Sequence, residues 1–207
     1  MLHILDAAEQ VFAAKGFVGA TIREIADEAE FSVGSIYTLF AGGKDEIFLE
    51  VITRRTREII GFIDSSLEPE LPPRERLHNL IDAILGYYTD HSQFMRLFQR
   101  AIGGDWMKFE ATASDSNWQD YQTILDRYAA LFREGIEAGD FIDDDPAALA
   151  VILAGILQSF LAHRIVGLGP HGESIDSSFP PERLHALIDR TFGNPNKRQA
   201  RRTRGTT

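Results

Sequence analysis

Apolar residues recur at intervals of three and four along most of this 207-residue chain. That interval is the period of one face of an α-helix. No stretch shows the strict alternation of apolar and polar residues that is typical of a half-buried strand. Glycines and prolines interrupt the pattern where the predicted helices end or begin. The sequence therefore predicts an all-α protein.

The stretch TIREIADEAEFSVGSIYTLF, from Thr21 to Phe40, predicts two short helices separated by a turn. Thr21 and Glu24 can form a capping box at the start of the first helix, and Ser32 can cap the second. An apolar stripe of Ile36, Leu39 and Phe40 predicts the inner side of the second helix. Its other side carries small or hydrogen-bonding residues, namely Val33, Gly34, Ser35, Tyr37 and Thr38. A helix-turn-helix needs this outward face to lay its second helix in the major groove of DNA.

The flanking residues extend this pattern, with a helix from Ile4 that ends near Gly16 and another that opens at Lys44. Together, ILDAAEQVFAAKGFVGATIREIADEAEFSVGSIYTLFAGGKDEIF resembles the amino-terminal DNA-binding domain of the tetracycline-repressor (TetR) family of bacterial regulators. Two departures stand out. Glu30 takes the place of a usual glycine, which predicts a strained turn or a non-glycine residue at positive φ. The spacer before Lys44 is one residue longer than the common one, which bears on the reach of Lys44 towards phosphate.

The resemblance implies a protein that binds a palindromic operator in double-stranded DNA. Thr21, Arg23 and Lys44 are expected to contact phosphates, together with nearby backbone amides. The residues expected to face base edges or the nearby DNA backbone are Ser32, Val33, Gly34, Ser35, Tyr37 and Thr38. Because Val33 and Gly34 carry no polar side chain, contacts with thymine methyls and readout of DNA shape should matter more than bidentate pairing.

A long helix from Lys44 to about Leu67 is predicted to connect this headpiece to a carboxy-terminal helical domain, with three arginines, Arg54, Arg55 and Arg57, on its solvated side. Pro73 can begin the next helix. Asp145 and Pro146 can begin a strongly apolar helix that runs to about Val166, and Pro180–Pro181 can begin the last helix. The predicted domains are a DNA-binding domain at 1–43, a ligand-binding and dimerisation domain at 44–193, and a basic, disordered tail at 194–207.

In the TetR family the helix after the Asp-Pro and the last helix pack against their symmetry mates, so the resemblance implies a homodimer. The residues support it, because apolar side chains cover more than one face of the Asp-Pro helix. The predicted interface residues are Leu149, Leu153, Leu157, Phe160, Leu184, Leu187 and Ile188. A dimer would also place two recognition helices one DNA turn apart on a palindrome.

Aromatic residues concentrate in the middle of the chain, where TetR-like proteins hold an inducer pocket between helices. For any single aromatic residue, a plain core role stays open as the alternative. Together they favour a large, mostly apolar or aromatic effector with polar anchors such as Gln99, Gln122 or His163. The predicted ligand-binding residues are Phe62, Tyr87, Phe94, Phe98, Trp106, Phe109, Trp118, Tyr121, Tyr128 and His163.

The formal net charge of −10 bears on solubility more than on groove binding. The first sixty residues also carry more acidic than basic side chains, which predicts weak nonspecific DNA affinity and a shallow salt dependence. The tail NKRQARRTRGTT is either a solvated end or a flexible arm that adds phosphate contacts.

The chain has no cysteine, which excludes disulfides and thiol redox sensing. The apolar run 147–162 is too short for a membrane span, so we expect a cytoplasmic protein.

The acidic run at 143–145 is better explained as a helix start favoured by the helix dipole than as a magnesium site. The six histidines make no i, i+4 pair, and no nucleophile motif, glycine-rich phosphate loop or HExxH is present. We therefore predict no catalytic residues, no metal and no cofactor. The predicted function is a homodimeric, ligand-responsive transcriptional repressor. The alternatives are an activator or a partner-gated regulator of the same fold, and a helical ligand carrier.

Overall fold

The computed structural model describes residues 1–67, 69–98, 115–166 and 180–195. These ranges are helical except for connecting turns and an isolated β-bridge between Phe141 and Gly193. The predicted all-α fold is therefore confirmed. The helices are α1 (Leu2–Gly19), α2 (Ile22–Glu28), α3 (Val33–Leu39), α4 (Gly43–Ser66), α5 (Pro73–Asp90), α6 (residues 92–98), α7 (Asp115–Glu137), α8 (Pro146–Leu161), which a π-helical turn (Ala162–Val166) continues, and α9 (Pro181–Phe192).

The helix starts follow local side-chain signals. The Thr21 hydroxyl accepts a hydrogen bond from the Glu24 amide, and the Glu24 carboxylate accepts one from the Thr21 amide at 3.0 Å. This confirms the predicted capping box. Asp145 caps α8 by accepting from the Ala147 amide at 3.0 Å, and Pro146 follows at the first helical position. Each cap satisfies an amide that the helix leaves unpaired, which contributes about 1 kcal/mol.

The turn between α2 and α3 contains Glu30 at φ 57°, the left-handed conformation that glycine adopts most easily. The Phe31 amide donates to the Ala26 carbonyl at 2.9 Å, and the Glu30 amide donates to the Asp27 carbonyl at 3.2 Å. These two bonds form a Schellman motif, which requires this conformation at the residue after the helix cap. The alternative of a non-glycine residue at positive φ is confirmed.

Replacing this residue tests the strain directly. We expect Glu30→Gly to stabilise the protein by about 1 kcal/mol, because the left-handed conformation costs a residue with a Cβ roughly 1–2 kcal/mol. This gain corresponds to a rise of roughly 2–4 °C in Tm for a chain of this size. The matched control is Glu28→Gly, at the last helical residue of α2, which should lower Tm instead. If both variants lose stability to the same extent, the turn is not strained.

The first compact unit comprises Met1–Ile59 and Tyr88–Tyr121. Its headpiece core is apolar, and the Phe48 ring meets the rings of Phe12 and Phe17 at centroid distances of 5.4 and 4.9 Å. The buried apolar residues of the headpiece are Ile4, Leu5, Ala7, Ala8, Val11, Phe12, Ala20, Ile25, Ala26, Ala29, Ile36, Phe40, Ile47, Phe48, Val51 and Ile52. This core fixes which side of α3 faces inward.

An ion-pair cluster joins α1 to α4 inside this unit. Glu9 is only 5% exposed, and its carboxylate accepts hydrogen bonds from Arg54 at 3.3 Å and from Arg55 at 2.8 Å. Asp6 and Glu58 complete the cluster. Burial alone would lower the pKa of Arg55, but hydrogen bonds to Glu9 and Glu58 outweigh it and raise that pKa. The prediction that Arg54 and Arg55 are solvated was wrong, because Glu9 draws both guanidinium groups inward.

The second compact unit comprises Ile60–Tyr87 and Gln122–Thr207, of which 60–67, 69–87, 122–166 and 180–195 are described. Phe132 lies at its centre, with ring centroids 5.2 Å from Phe141 and 5.0 Å from Phe192. Burial alone would raise the pKa of Asp189, but hydrogen bonds from Arg74 and His78 lower it. The units do not coincide with the predicted domains, since α4 and α5 each contribute residues to both.

The apolar helical segment Pro146–Ile165 is 20 residues long and has a mean hydropathy of 1.7. It is longer than the apolar run 147–162, which by itself is too short for a membrane span. By length and composition it could cross a membrane. Leu149, Leu153 and Leu157 on this segment are nevertheless buried within the second unit. Core helices of soluble proteins have the same properties, so the segment is weak evidence for membrane insertion.

Candidate nucleic-acid interface

Helix α3 is anchored from one side and exposed on the other. Ile36 is fully buried, and Phe40 just after the helix is also buried. Tyr37 is 51% exposed, and Ser32, Val33, Gly34 and Thr38 are exposed as well, whereas Ser35 is half-buried. The structure thus places the predicted base-facing residues on one outward surface.

Leu39 departs from the predicted inner stripe, because its side chain is 47% exposed. Helical periodicity gives the angle of Leu39 around α3, but whether a neighbouring element covers that angle depends on the tertiary fold. Phe31, in the turn before α3, is also exposed. The outward surface of the motif is therefore more apolar than the sequence pattern predicted.

Most hydroxyl groups of α3 already have partners in the helix. The Ser32 Oγ accepts from the Ser35 amide at 3.0 Å and lies 2.8 Å from the Ser35 Oγ. The Thr38 hydroxyl donates to the Gly34 carbonyl at 2.9 Å. Thr38 has a single hydroxyl proton, so in this conformation it can only accept a hydrogen bond from DNA. Tyr37 is the exception, since its hydroxyl has no hydrogen-bond partner among the described residues.

Lys44 has a structural role that the sequence did not reveal. Its ammonium donates to the carbonyls of Phe17 and Ala20 at 2.8 and 2.9 Å and lies 4.6 Å from the centre of the Phe17 ring. These carbonyls lie at the end of α1, where a cation can satisfy unpaired acceptors. Two of the three N–H donors of Lys44 are therefore committed within the headpiece.

The other headpiece cations near α2 differ in their partners. Lys15 pairs with Glu24 at 2.7 Å, and hydrogen bonds from Lys15 and Thr21 lower the pKa of Glu24. Arg23 is exposed and makes no ion pair or hydrogen bond within the described ranges. Of the three residues predicted to contact phosphates, Arg23 is therefore the one whose side-chain N–H donors have no partner among the described residues.

The predicted ligand-binding residues fall into both compact units. In the first unit Phe94 is buried and Phe98 half-buried, whereas Trp118 and Tyr121 are exposed. In the second unit Tyr87 and Tyr128 are buried, Phe62 is exposed with its ring 5.1 Å from that of Tyr87, and His163 is half-buried. The predictions for Trp106, Phe109 and the anchor Gln99 lie outside the described residues.

Six of the seven predicted interface residues are buried in the core of the second unit, since only Leu187 exceeds 7% exposure, at 40%. Within one protomer they belong to the core, although Phe160, Leu184 and Ile188 also line the groove described below. The large exposed apolar residues of α8 are Val151 and Ile152. A groove of about 650 Å³ lies beside them, and it is lined by Ile152, Gly155, Ile156, Ser159, Phe160, His163, Leu184, Leu187, Ile188 and Thr191.

A headpiece of three helices, with the second motif helix anchored inside and exposed outside, defines a helix-turn-helix DNA-binding protein. Residues 4–51 match the family model "Bacterial regulatory proteins, tetR family". Residues 70–161 match "Tetracyclin repressor-like, C-terminal domain". The chain belongs to the TetR family of transcriptional regulators, which confirms the resemblance. Members of this family are DNA-binding transcription factors without enzymatic activity.

Individual relatives agree with this assignment. The uncharacterized HTH-type transcriptional regulator YhgD of Bacillus subtilis is 28% identical over 150 residues, which cover 72% of this chain and 76% of YhgD. A tetR-family regulatory protein from Rhodococcus RHA1 has a similar fold, with a TM-score of 0.74, 21% identity, and coverage of 93% of this chain and 96% of that one. FadR from Bacillus subtilis, solved in complex with stearoyl-CoA, gives a TM-score of 0.73 at 16% identity, covering 90% and 94%.

Proposed function

We propose that this protein is a homodimeric, ligand-responsive transcriptional repressor that binds a palindromic operator through α3. The outward face of α3 carries this proposal, because buried Ile36 holds the helix while its opposite side stays exposed. As a DNA-binding regulator, the protein would act in the cytoplasm, where the DNA is. A repressor should lower transcription from its operator, so deleting the gene should raise the level of the controlled transcript.

Contacts with DNA follow from which groups are uncommitted. Arg23 and the amides at the start of α2 would bind phosphates, next to the capping residue Thr21. The exposed residues of α3 would face the bases or the adjacent backbone. Lys44 would mainly hold the end of α1 and offer DNA the one N–H donor that its two carbonyl partners leave.

The partner in the proposed dimer is a second copy of this chain, bound through the exposed sides of α8 and α9. A two-fold interface uses the same patch on both protomers, and this patch offers Val151, Ile152 and Leu187 around the apolar groove. The proposed contact thus uses the outward residues and leaves Leu149, Leu153 and the other core residues in place. Dimerisation would hold two recognition helices at a fixed separation.

The proposed effector is a large, mostly apolar molecule. Stearoyl-CoA in the B. subtilis FadR structure supports this class, because it combines a long apolar chain with a polar head group. To act as an inducer, the molecule must bind the form that cannot span the operator more tightly than the form that can, since equal affinity for both shifts nothing.

A screen tests the effector class with stearoyl-CoA, stearate and coenzyme A as three separate probes. We expect stearoyl-CoA or stearate, but not coenzyme A, to raise Tm progressively with ligand concentration and to release the operator. A protein whose Tm and DNA binding respond to none of them would contradict an effector with a stearoyl-length acyl chain.

The DNA-binding assignment is tested by Tyr37→Ala combined with Thr38→Ala. Both residues are exposed, so the double variant should fold and dimerise normally but lose specific operator binding by at least about tenfold. The measurement is an electrophoretic mobility shift, at two salt concentrations, on DNA upstream of the gene or on sequences selected from random DNA. Ser65→Ala, at an exposed hydroxyl of α4 outside the headpiece core, is the control. Equal retardation by both variants would contradict the assignment.

A further inference from the structure

The recognition surface is almost devoid of the side chains that read bases by paired hydrogen bonds. Residues 29–43 contain no lysine, arginine, asparagine, glutamine or histidine. Arginine and lysine make the bidentate contacts with guanine, and asparagine and glutamine make those with adenine. Helix α3 and its flanking turns therefore cannot form either kind of bidentate contact.

The serine and threonine hydroxyls do not replace these side chains. The Thr38 hydroxyl donates its proton to the Gly34 carbonyl, and the hydroxyls of Ser32 and Ser35 lie within hydrogen-bond distance of each other. The Tyr37 hydroxyl adds a single donor and acceptor, which is too little to distinguish a multi-base sequence. Hydrogen bonding from α3 thus carries little sequence information.

Apolar side chains dominate what remains exposed. Val33 is exposed, Tyr37 and Leu39 are about half exposed, and Phe31 adds a further apolar group in the preceding turn. In the major groove the one apolar group on a base edge is the C5 methyl of thymine. The exposed side chains of α3 therefore match thymine better than any other base.

The described headpiece also offers few phosphate contacts, which places more weight on these apolar groups, and the basic residues predicted for the tail lie outside the described residues. Lys15 pairs with Glu24 and Lys44 keeps one N–H donor, so among these three described cations only Arg23 has all of its donors uncommitted. A protein with few phosphate contacts gains little sequence-independent affinity. Its preference for the operator must come from the groove surface and from DNA shape.

We propose that the operator half-site is read mainly through the methyl groups of thymines contacted by Val33 and Tyr37, so that it is rich in A·T pairs where α3 lies. This inference rests on the proposed function, because it assumes that α3 enters the major groove. It specifies the class of DNA sequence that the site accepts.

Base analogues test the inference on a duplex first selected from random DNA with the full-length protein. Replacing thymidine by deoxyuridine in the half-sites removes only the methyl groups and keeps base pairing. Burial of one methyl-sized group contributes about 0.8 kcal/mol, so we expect binding to weaken about fourfold for each contacted methyl that is removed. Removing two contacted methyls should weaken it about fifteenfold. Replacing deoxyguanosine by 7-deazadeoxyguanosine removes the N7 acceptor and should change the Kd less than about twofold.

Two variants connect the methyl effect to the named residues. Val33→Ala should bind the thymine and uracil duplexes with more similar affinities than the unmodified protein does, as a double-mutant cycle between side chain and methyl requires. Tyr37→Phe should keep the preference for thymine, because only its ring is invoked.

The outcomes separate the inference from the proposed function. Specific binding that survives deoxyuridine but fails with 7-deazadeoxyguanosine would overturn the methyl readout and leave the regulator intact. Specific binding that neither analogue changes would also overturn it, in favour of shape readout alone. A protein that selects no sequence from random DNA would remove the proposed function itself, and the inference with it.

Discussion

Ile152→Glu should leave the protein monomeric and unable to retain its operator at micromolar concentration. Ile152 is 48% exposed on α8 and borders the apolar groove that the proposed dimer covers. A carboxylate buried there without a partner costs several kcal/mol, and the two-fold axis introduces it twice. We expect the dimer dissociation constant to rise by at least about 100-fold, which corresponds to about 2.8 kcal/mol. Sedimentation equilibrium and a mobility-shift assay on the same samples measure both effects.

Two control variants make this result specific. Asn79→Glu adds the same charge to an exposed position of α5, outside the proposed interface of α8 and α9, and should leave the dimer intact. Leu153→Ala removes a fully buried core side chain and should lower stability by about 2–5 kcal/mol without a selective loss of the dimer. If Ile152→Glu remains dimeric while Leu153→Ala dissociates without unfolding, the exposed face is not the interface.

Glu9→Ala should destabilise the headpiece by about 2–3 kcal/mol, because it leaves the guanidinium groups of Arg54 and Arg55 largely buried without their shared carboxylate. The estimate is below the usual cost of breaking a buried pair, since Asp6 and Glu58 remain as partners. The Tm should fall by roughly 5–10 °C. Amide hydrogen exchange should show faster opening of α1 in particular, because the lost contacts join α1 to α4.

Asp6→Ala provides the comparison for this cluster. Asp6 also pairs with Arg54, at 2.8 Å, but its side chain is 53% exposed. A solvated ion pair contributes about 0.2–1 kcal/mol, so this variant should differ little from the unmodified protein. Equal effects of Glu9→Ala and Asp6→Ala would show that burial of the Glu9 carboxylate adds nothing to the cluster.

Features that depend on neighbouring residues in the chain could be predicted from the sequence. The capping box at Thr21, the cap at Asp145 and the left-handed Glu30 are decided within a few residues. Gly139 follows α7 with φ 70°, the left-handed conformation in which a glycine commonly ends a helix. The helix-turn-helix follows from such local signals together with the spacing of its apolar residues.

Contacts between distant residues could not be predicted in this way. Arg55 is drawn inward by Glu9, which lies 46 residues away, and Lys44 reaches the carbonyl of Phe17 at a separation of 27. A charged residue on the polar side of a predicted helix looks solvated until its partner is known. For Lys44, this explains why a phosphate contact was predicted where the structure shows a helix-end contact.

Helix α8 shows which structural features the local sequence determines and which depend on tertiary packing. Its sequence determined that a helix starts at Pro146 and that apolar residues surround most of its axis. Periodicity fixes the angles between Leu153 and Ile152, but both are apolar, so it does not say which of them faces the core. Only the packing of α8 within the second unit buried Leu153 and left Ile152 exposed. The side of an apolar helix that is available to a partner is decided by what its own chain has already covered.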